Sequence, residues 1–304
     1  MLNTLRIATR KSPLALVQAE IVTRKLQLLY PELRIELLPM STTGDNLPQV
    51  LREEGGKGLF TKELEEALLN HRADIAVHSM KDMPAVYPEG LIVPVISERA
   101  DPHDALVSKA GYALADLPQG ARVATASLRR QCQLLAIRPD LIIIPMRGNV
   151  GTRLSKLNEG VCDALVMAAA GLKRLQLWDQ SMQSLSSDIC LPAVAQGALG
   201  IECRAEDMAV QSLIAPLNKL SVSDEVAAER AFNALLNGGC RAPIAGYAQL
   251  MGDKLRLRGL VGAPDGSKII RGELEGPREQ AVALGHRLAD DLLMRGAGEI
   301  IKSL

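Results

Sequence analysis

Basic side chains of this 304-residue chain cluster where predicted strands give way to helices. Arg10 precedes one helix start, Arg129 and Arg130 lie just inside another, and Arg147 and Arg153 span a third turn. Helix N-termini present unpaired backbone N–H groups and the positive end of the helix dipole, and arginines add bidentate hydrogen bonds. The pattern predicts a cleft that binds several carboxylates or phosphates. The alternative for any one of these arginines is a solvated surface residue.

A second cluster of polar side chains follows a predicted buried strand. His78, Ser79, Lys81 and Asp82 come directly after the apolar end of that strand and before a proline. Catalytic groups are often placed at the ends of core strands, so the cluster is a candidate active site. The alternative is a structural turn in which Asp82 forms a cap and His78 is a core histidine.

One of the five cysteines has surroundings that favour reactivity. Cys240 lies in the sequence Asn-Gly-Gly-Cys-Arg-Ala-Pro, where glycines leave the backbone uncrowded and Arg241 favours the thiolate. The other four have apolar neighbours and are predicted to be packing residues: Cys132, Cys162, Cys190 and Cys203. The five cysteines are odd in number, widely spaced and without a C-x-x-C pair, which argues against a disulfide framework and a zinc site. The sequence contains no Walker loop, G-x-S-x-G or H-E-x-x-H motif.

The elements that position these side chains alternate between strand and helix over the first two thirds of the chain. Strands are predicted at 5–8, 35–40, 75–78, 91–96, 105–107, 122–125, 141–146 and 164–167. Helices are predicted at 14–29, 61–70, 127–137, 150–158 and 168–175. Ser12 and Ser127 are predicted N-caps, and Pro13 suits the first position of its helix. This rhythm is typical of parallel or mixed sheets covered by helices, an α/β fold.

The chain from residue 224 onward has a different pattern. A helix at 224–236 is followed by a predicted three-strand meander at 247–251, 254–261 and 269–274, and then by a long helix at 279–294. Strands grouped between helices indicate a separate C-terminal α+β domain.

Composition excludes several classes of protein. The length predicts two or three domains, and 35 basic residues balance 35 acidic ones. A balanced charge, with only two phenylalanines, four tyrosines and one tryptophan, argues against a nucleic-acid partner. We find no apolar run of the ~20 residues that a membrane helix needs, and no signal-peptide pattern. We therefore expect a cytoplasmic protein with no membrane partner, and a monomer because no exposed apolar stripe is evident.

Five motifs and the opening strand, taken together, resemble those of a known family. They are Val77–Asp82, Gly55–Phe60, Ser127–Arg130, Arg147–Arg153, Gly238–Cys240 and the strand Arg6–Arg10. The set resembles the porphobilinogen deaminases (hydroxymethylbilane synthases) of tetrapyrrole and haem biosynthesis, and the resemblance covers the whole chain.

The resemblance implies a reaction and a cofactor. The family joins four porphobilinogen molecules head to tail on a dipyrromethane primer, releases four ammonia and hydrolyses off hydroxymethylbilane. The primer is held through a cysteine thioether, which by motif match is Cys240, and the catalytic aspartate matches Asp82. No metal or nucleotide is required. The implied cofactor- and substrate-binding residues are Arg10, Lys57, Phe60, Ser79, Lys81, Thr125, Ser127, Arg129, Arg130, Arg147, Gly148, Arg153, Arg174 and Gln196.

The resemblance also implies three domains. Residues 1–97 with 196–216 would form the first, 98–195 the second and 217–304 the third, which presents the cysteine loop. The first two resemble a periplasmic-binding-protein pair flanking the active cleft. Two departures from the family pattern are Thr43, where a basic residue is common, and the acidic stretch Arg52–Glu54.

Two other functions compete with this interpretation. One is a non-catalytic protein that binds a carboxylate in the same interdomain cleft. The other is a cysteine-nucleophile hydrolase, which would need a partner among His71, His78, His103 and His286. If the paired arginines serve binding from the surface, replacing Arg129 or Arg130 by leucine should leave the thermal midpoint nearly unchanged.

Overall fold

The computed structural model describes residues 3–46, 60–237 and 242–304. By its internal contacts the chain divides into two compact units, Met1–Arg99 with Ala198–Ser223, and Ala100–Gly197 with Asp224–Leu304. The second unit thus includes the C-terminal α+β part, and the three-domain boundaries stay a prediction. Lys57, Cys240 and Arg241 lie outside the described residues, as does the stretch Arg52–Glu54.

Strands and helices alternate along the described residues. The strands are β1 (Thr4–Arg10), β2 (Arg34–Met40), β3 (Ile75–Ser79), β4 (Leu91–Arg99), β5 (Asp104–Ser108), β6 (Arg122–Ala124), β7 (Ile142–Ile144), β8 (Ala164–Ala168), β9 (Met182–Leu185), β10 (Ala198–Arg204), β11 (Ile244–Met251), β12 (Lys254–Gly262) and β13 (Ile269–Pro277). The helices are α1 (Pro13–Leu29), α2 (Thr43–Asn46), α3 (Lys62–Leu69), α4 (Leu128–Ile137), α5 (Val150–Asn158), α6 (Ala169–Arg174), α7 (Met208–Ile214), α8 (Leu220–Leu235), α9 (Ala281–Met294) and α10 (Ala297–Lys302).

The two α/β sheets share the same pattern of parallel and antiparallel strand pairs. The first sheet runs β2-β1-β3-β10-β4, and the second, in the other unit, runs β7-β6-β8-β5-β9. In each sheet the first three strands are parallel and the fourth is antiparallel to both of its neighbours. The third sheet is the antiparallel meander β11-β12-β13. These sheets confirm the predicted mixed α/β architecture with a C-terminal α+β part.

Local sequence explains where the helices of the α/β sheets begin. The Ser12 hydroxyl accepts a hydrogen bond from the Ala15 amide at 3.3 Å, and Pro13 occupies the first turn of α1. Asn149 caps α5 by accepting from the Thr152 amide at 2.8 Å. Ser127 stands at the N-cap position of α4 as predicted, but its side chain makes no capping hydrogen bond. The prediction of a side-chain cap at Ser127 was therefore wrong.

Apolar side chains fill the space between each sheet and its helices. Against the first sheet, Val22 and Leu26 of α1 pack on Ile7, Val77 and Ile201. In the C-terminal part, Phe232 of α8 and Leu284 and Leu288 of α9 cover Leu257 of β12. No helix within the described ranges is long and apolar enough to cross a membrane.

Candidate functional site

The first group of predicted site residues lies at one edge of the first sheet. Arg10 ends β1, Ser79 ends β3, and the two strands are parallel, so these residues lie at the same sheet edge. A 3-10 turn, Met80–Asp82, follows β3 directly. Within this turn the Met80 side chain is buried, Lys81 is half-buried and Asp82 is exposed. The turn therefore presents the Asp82 carboxylate to solvent at the sheet edge.

Two contacts orient side chains of this edge. The Arg10 guanidinium lies 4.3 Å from the centroid of the Phe60 ring, a cation–π contact that fixes both predicted site residues. The amide nitrogen of Gln18 donates to the Ser79 hydroxyl at 2.7 Å. Gln18 was not among the predicted residues. Its signal in the sequence is a polar side chain on the buried face of α1, between Ala15 and Val22.

His78 belongs to the core rather than to this edge. Its ring is buried, and Nε2 lies 2.9 Å from Oε2 of Glu202, which is also buried. The polar cluster that the sequence places after β3 is therefore divided. His78 pairs inside the sheet, and Ser79, Lys81 and Asp82 are at its end.

The second group of predicted site residues lies at one edge of the second sheet. Thr125 follows β6 and Arg147 follows β7 by three residues, and these strands are parallel. The Thr125 hydroxyl accepts from the Ser127 amide at 3.2 Å. The Gly148 carbonyl accepts from Nε of Arg153 at 2.8 Å. Gly148 has a φ of +122°, a left-handed conformation that favours glycine at this turn.

The charges of this second edge are not balanced. Burial, together with the like charges of Arg130 and Arg147, lowers the pKa of Arg153 to about 10. The guanidinium of Arg153 therefore stays charged at neutral pH although its neighbours repel it. Within residues 3–46, 60–237 and 242–304, neither Arg147 nor Arg153 has a carboxylate partner. A bound anion would relieve this repulsion, which fits the predicted carboxylate site.

Arg129 and Arg130 are buried, contrary to the expectation that they are surface residues. Their exposed fractions are 4% and 7%, and both guanidinium groups bind the buried carboxylate of Asp104 at 2.7 Å. Burial opposes ionisation of Asp104, but the two positive charges outweigh it and hold its pKa well below the usual range. Burial likewise opposes the charge on Arg129, and Asp104 outweighs it and raises the Arg129 pKa.

Further contacts tie these arginines into the second unit. Nη1 of Arg129 donates to the Leu191 carbonyl at 2.9 Å, and Nη1 of Arg130 donates to the Val166 carbonyl at 3.0 Å. The premise that these arginines lie at the surface is therefore wrong. Leucine at either position is expected to lower the thermal midpoint, because it would break a buried ion-pair network.

Two described site residues remain: Arg174, the last residue of α6, and Gln196, which lies two residues before β10. The amide of Gln196 donates to the Pro102 carbonyl at 2.7 Å and to Asp104 at 3.0 Å. Nη2 of Arg174 donates to the Gly197 carbonyl at 2.8 Å. The structure thus joins Gln196 to the Asp104 network.

Thr43, which departs from the family pattern, has a local partner. Its backbone amide donates to Oε1 of Glu63 at 2.6 Å, and its hydroxyl binds the same oxygen. The described residues hold no group of three or more His, Cys, Asp or Glu side chains arranged to bind a metal ion.

Comparison with solved structures finds distant similarities. The chain is 17% identical to the alkanesulfonate-binding protein SsuA from Xanthomonas axonopodis pv. citri bound to MOPS, with 74% of this chain and 73% of that one covered and a TM-score of 0.40. It is 18% identical to the periplasmic aliphatic sulphonate binding protein SsuA from Escherichia coli, with 77% and 70% covered and a TM-score of 0.42.

Comparison with protein-family models is decisive. Residues 5–212 match the porphobilinogen deaminase dipyromethane cofactor binding domain. Residues 224–294 match the porphobilinogen deaminase C-terminal domain. The motifs, the repeated α/β sheets and these two matches together show that the chain belongs to the porphobilinogen deaminase family, the hydroxymethylbilane synthases that use a dipyrromethane cofactor.

Proposed function

We propose that this chain joins four porphobilinogen molecules head to tail on a covalently bound dipyrromethane, releases four ammonia and hydrolyses the product to hydroxymethylbilane. The observation that carries the proposal is the group of positive charges on Arg130, Arg147 and Arg153, of which only Arg130 has a carboxylate partner among the described residues. Each pyrrole of such a substrate carries an acetate and a propionate, so the bound chain accumulates negative charge. Guanidinium groups bind such carboxylates bidentately.

The residues of both units share this binding role in our proposal. In the first unit, Arg10, held by Phe60, and the Ser79 hydroxyl, held by Gln18, are pre-oriented donors. In the second unit, donors come from the sheet edge and from the buried network. They are Thr125, Ser127, Arg129, Arg130, Arg147, Gly148, Arg153, Arg174 and Gln196. Lys57 and Lys81 complete the set that the family motifs assign.

Asp82 is the proposed catalytic group. Loss of ammonia from porphobilinogen leaves a cation, and a fixed carboxylate beside it stabilises the charge as it develops. The Asp82 side chain is exposed on a turn whose first residue, Met80, is buried, which suits a carboxylate that meets substrate. The same carboxylate can accept and return a proton during carbon–carbon bond formation.

Cys240 is the proposed attachment point of the dipyrromethane. The support is the Gly-Gly-Cys motif and the neighbouring Arg241, which favours the nucleophilic thiolate. The buried cysteines are poor alternatives, because burial raises the thiol pKa of Cys132 to about 11 and that of Cys190 to about 12. A thiol that stays protonated is a weak nucleophile.

The competing functions have less support. Family membership does not favour a carboxylate-binding protein without catalysis. For a cysteine hydrolase, two of the candidate bases are already engaged, His78 with Glu202 and His103 with Asp101. A monomeric state, a cytoplasmic location and the absence of nucleic-acid or membrane partners stay predictions.

Turnover of porphobilinogen tests the proposal. Purified protein is incubated with porphobilinogen, and substrate loss, ammonia and hydroxymethylbilane are followed together. We expect four substrates consumed and four ammonia released for each product. Porphobilinogen that binds at equilibrium but is not consumed would instead support the carboxylate-binding alternative.

A further inference from the structure

The Asp104 carboxylate is the shared acceptor of a buried network. Asp104 is the first residue of β5 and is fully buried. Its Oδ2 accepts from Nη1 of Arg129 at 2.7 Å, and its Oδ1 accepts from Nε and Nη2 of Arg130 at 3.1 and 2.7 Å. Oδ1 also accepts from the Gln196 amide at 3.0 Å, and the Cys190 thiol lies 3.3 Å from Oδ2. One carboxylate therefore sets the position of three predicted binding side chains.

The network leaves hydrogen-bond donors for a ligand. Arg129 uses only Nη1 in its contacts with Asp104, Cys190 and Leu191, so Nε and Nη2 have no acceptor within the described part of the chain. Two guanidinium groups share one carboxylate, so the group keeps a net positive charge beside Arg147 and Arg153. Asp104 thus neutralises part of the charge and leaves donors and charge for an anion.

Another aspartate shows how a purely structural pair differs. Asp140 binds Nε and Nη2 of Arg138 at 2.7 and 2.8 Å near the end of α4. Arg138 gives its other donors to main-chain carbonyls, including those of Leu114 and Leu117 at 2.8 and 3.0 Å. Arg138, like Arg130, has no donor nitrogen left over, whereas Arg129 has two. Asp140 therefore provides a matched control.

We propose that Asp104 is a positioning residue for ligand binding. It holds the Arg129 guanidinium where Nε and Nη2 meet a carboxylate of the cofactor or substrate, and it holds the positive charge of Arg130 beside that group. The inference rests on the proposed function. It assigns to Asp104 no contact with ligand and no chemical step. Because a misplacement of about 1 Å in a positioned group can cost about 10²-fold, a small shift of this carboxylate should be visible as a lower kcat/KM that comes from a raised KM.

The experiment compares Asp104→Asn, Asp104→Glu and the control Asp140→Asn in the full chain. Asparagine keeps the shape of the side chain but replaces one carboxylate oxygen with an amide donor that faces the guanidinium groups. Glutamate keeps the negative charge but moves it by one methylene. Intact-mass measurement gives the fraction of each protein that carries the covalent pyrrole adduct. Steady-state kinetics on the adduct-bearing fraction then separate KM from kcat, and thermal unfolding is recorded alongside.

We expect both Asp104 variants to carry less adduct and to show a KM for porphobilinogen raised at least tenfold, while kcat changes little because Asp82 is intact. Asp140→Asn should keep the parent KM and adduct fraction. A lower thermal midpoint with parental KM and adduct loading in both Asp104 variants would overturn the proposal, and so would failure of both to fold. A parent protein without adduct or turnover would instead show that the proposed function itself is wrong.

Discussion

Replacing Arg130 by leucine should destabilise the second unit strongly. The substitution removes two hydrogen bonds to Asp104, at 3.1 and 2.7 Å, and one to the Val166 carbonyl at 3.0 Å. Removing one partner of a buried ion pair typically costs about 3–5 kcal/mol. Asp104 keeps Arg129 at 2.7 Å and Gln196 at 3.0 Å, so we expect the lower end, about 3 kcal/mol.

That free energy corresponds to a fall in the thermal midpoint of roughly 6–12 °C for a domain of about 150–250 residues. The control is Arg295→Leu, which removes a pair with Asp291 whose side chains are 48% and 41% exposed. Exposed pairs of this kind contribute about 0.3–0.5 kcal/mol, so the control midpoint should move little. Circular dichroism or calorimetry on both variants measures the difference. Equal midpoints for Arg130→Leu and Arg295→Leu would refute the buried-network account.

Four further outcomes are expected. Asp82→Asn should lower kcat and kcat/KM together by at least about 10²-fold with little change in stability, whereas Asp82→Glu should keep measurable turnover. Equal activity of Asp82→Asn and the parent would contradict an electrostatic role for Asp82. Arg153→Gln should raise KM without lowering the thermal midpoint, because Arg130 and Arg147 repel the charge that it removes; a loss of stability like that of Arg130→Leu would contradict this. Gly200→Ala should lower turnover, because the added Cβ would lie 2.1 Å from the sulfur of Met80, in the turn that carries Asp82. Kinetics equal to those of the parent would contradict this expectation. The pKa of Asp104 is lowered in the folded protein, so this carboxylate contributes its full stabilisation above its unfolded-state pKa of about 3.9 and less as the pH falls below that value. The denaturant midpoints of the parent and of Asp104→Asn should therefore converge in acid. A constant gap between the two midpoints down to pH 3 would contradict this expectation.

Local patterns in the sequence predict most of the framework. The strand–helix alternation locates β1, β3, β6 and β7, and with them the ends where Ser79, Asp82 and Arg147 lie. This works because parallel strands place their carboxyl ends at one edge, so the order along the chain determines which turns share that edge.

Contacts between distant segments could not be predicted in the same way. β10 pairs with β3 and β4, which lie roughly a hundred residues or more earlier in the chain. It was not among the predicted strands, because a fully buried strand lacks alternation. The pairing of Asp104 with Arg129 and Arg130 also crosses 25 and 26 residues, and charge type alone does not say which carboxylate folds against which arginine. For this reason the buried arginines were expected at the surface.

Intact mass of the denatured protein tests the central claim most directly, namely that this chain carries a dipyrromethane on Cys240. The parent protein should be heavier than its sequence by one dipyrromethane, and Cys162→Ala, which changes a buried thiol, should be too. Cys240→Ser should show the mass of the bare chain. A parent without adduct, or an adduct of unchanged mass on Cys240→Ser, would contradict the account.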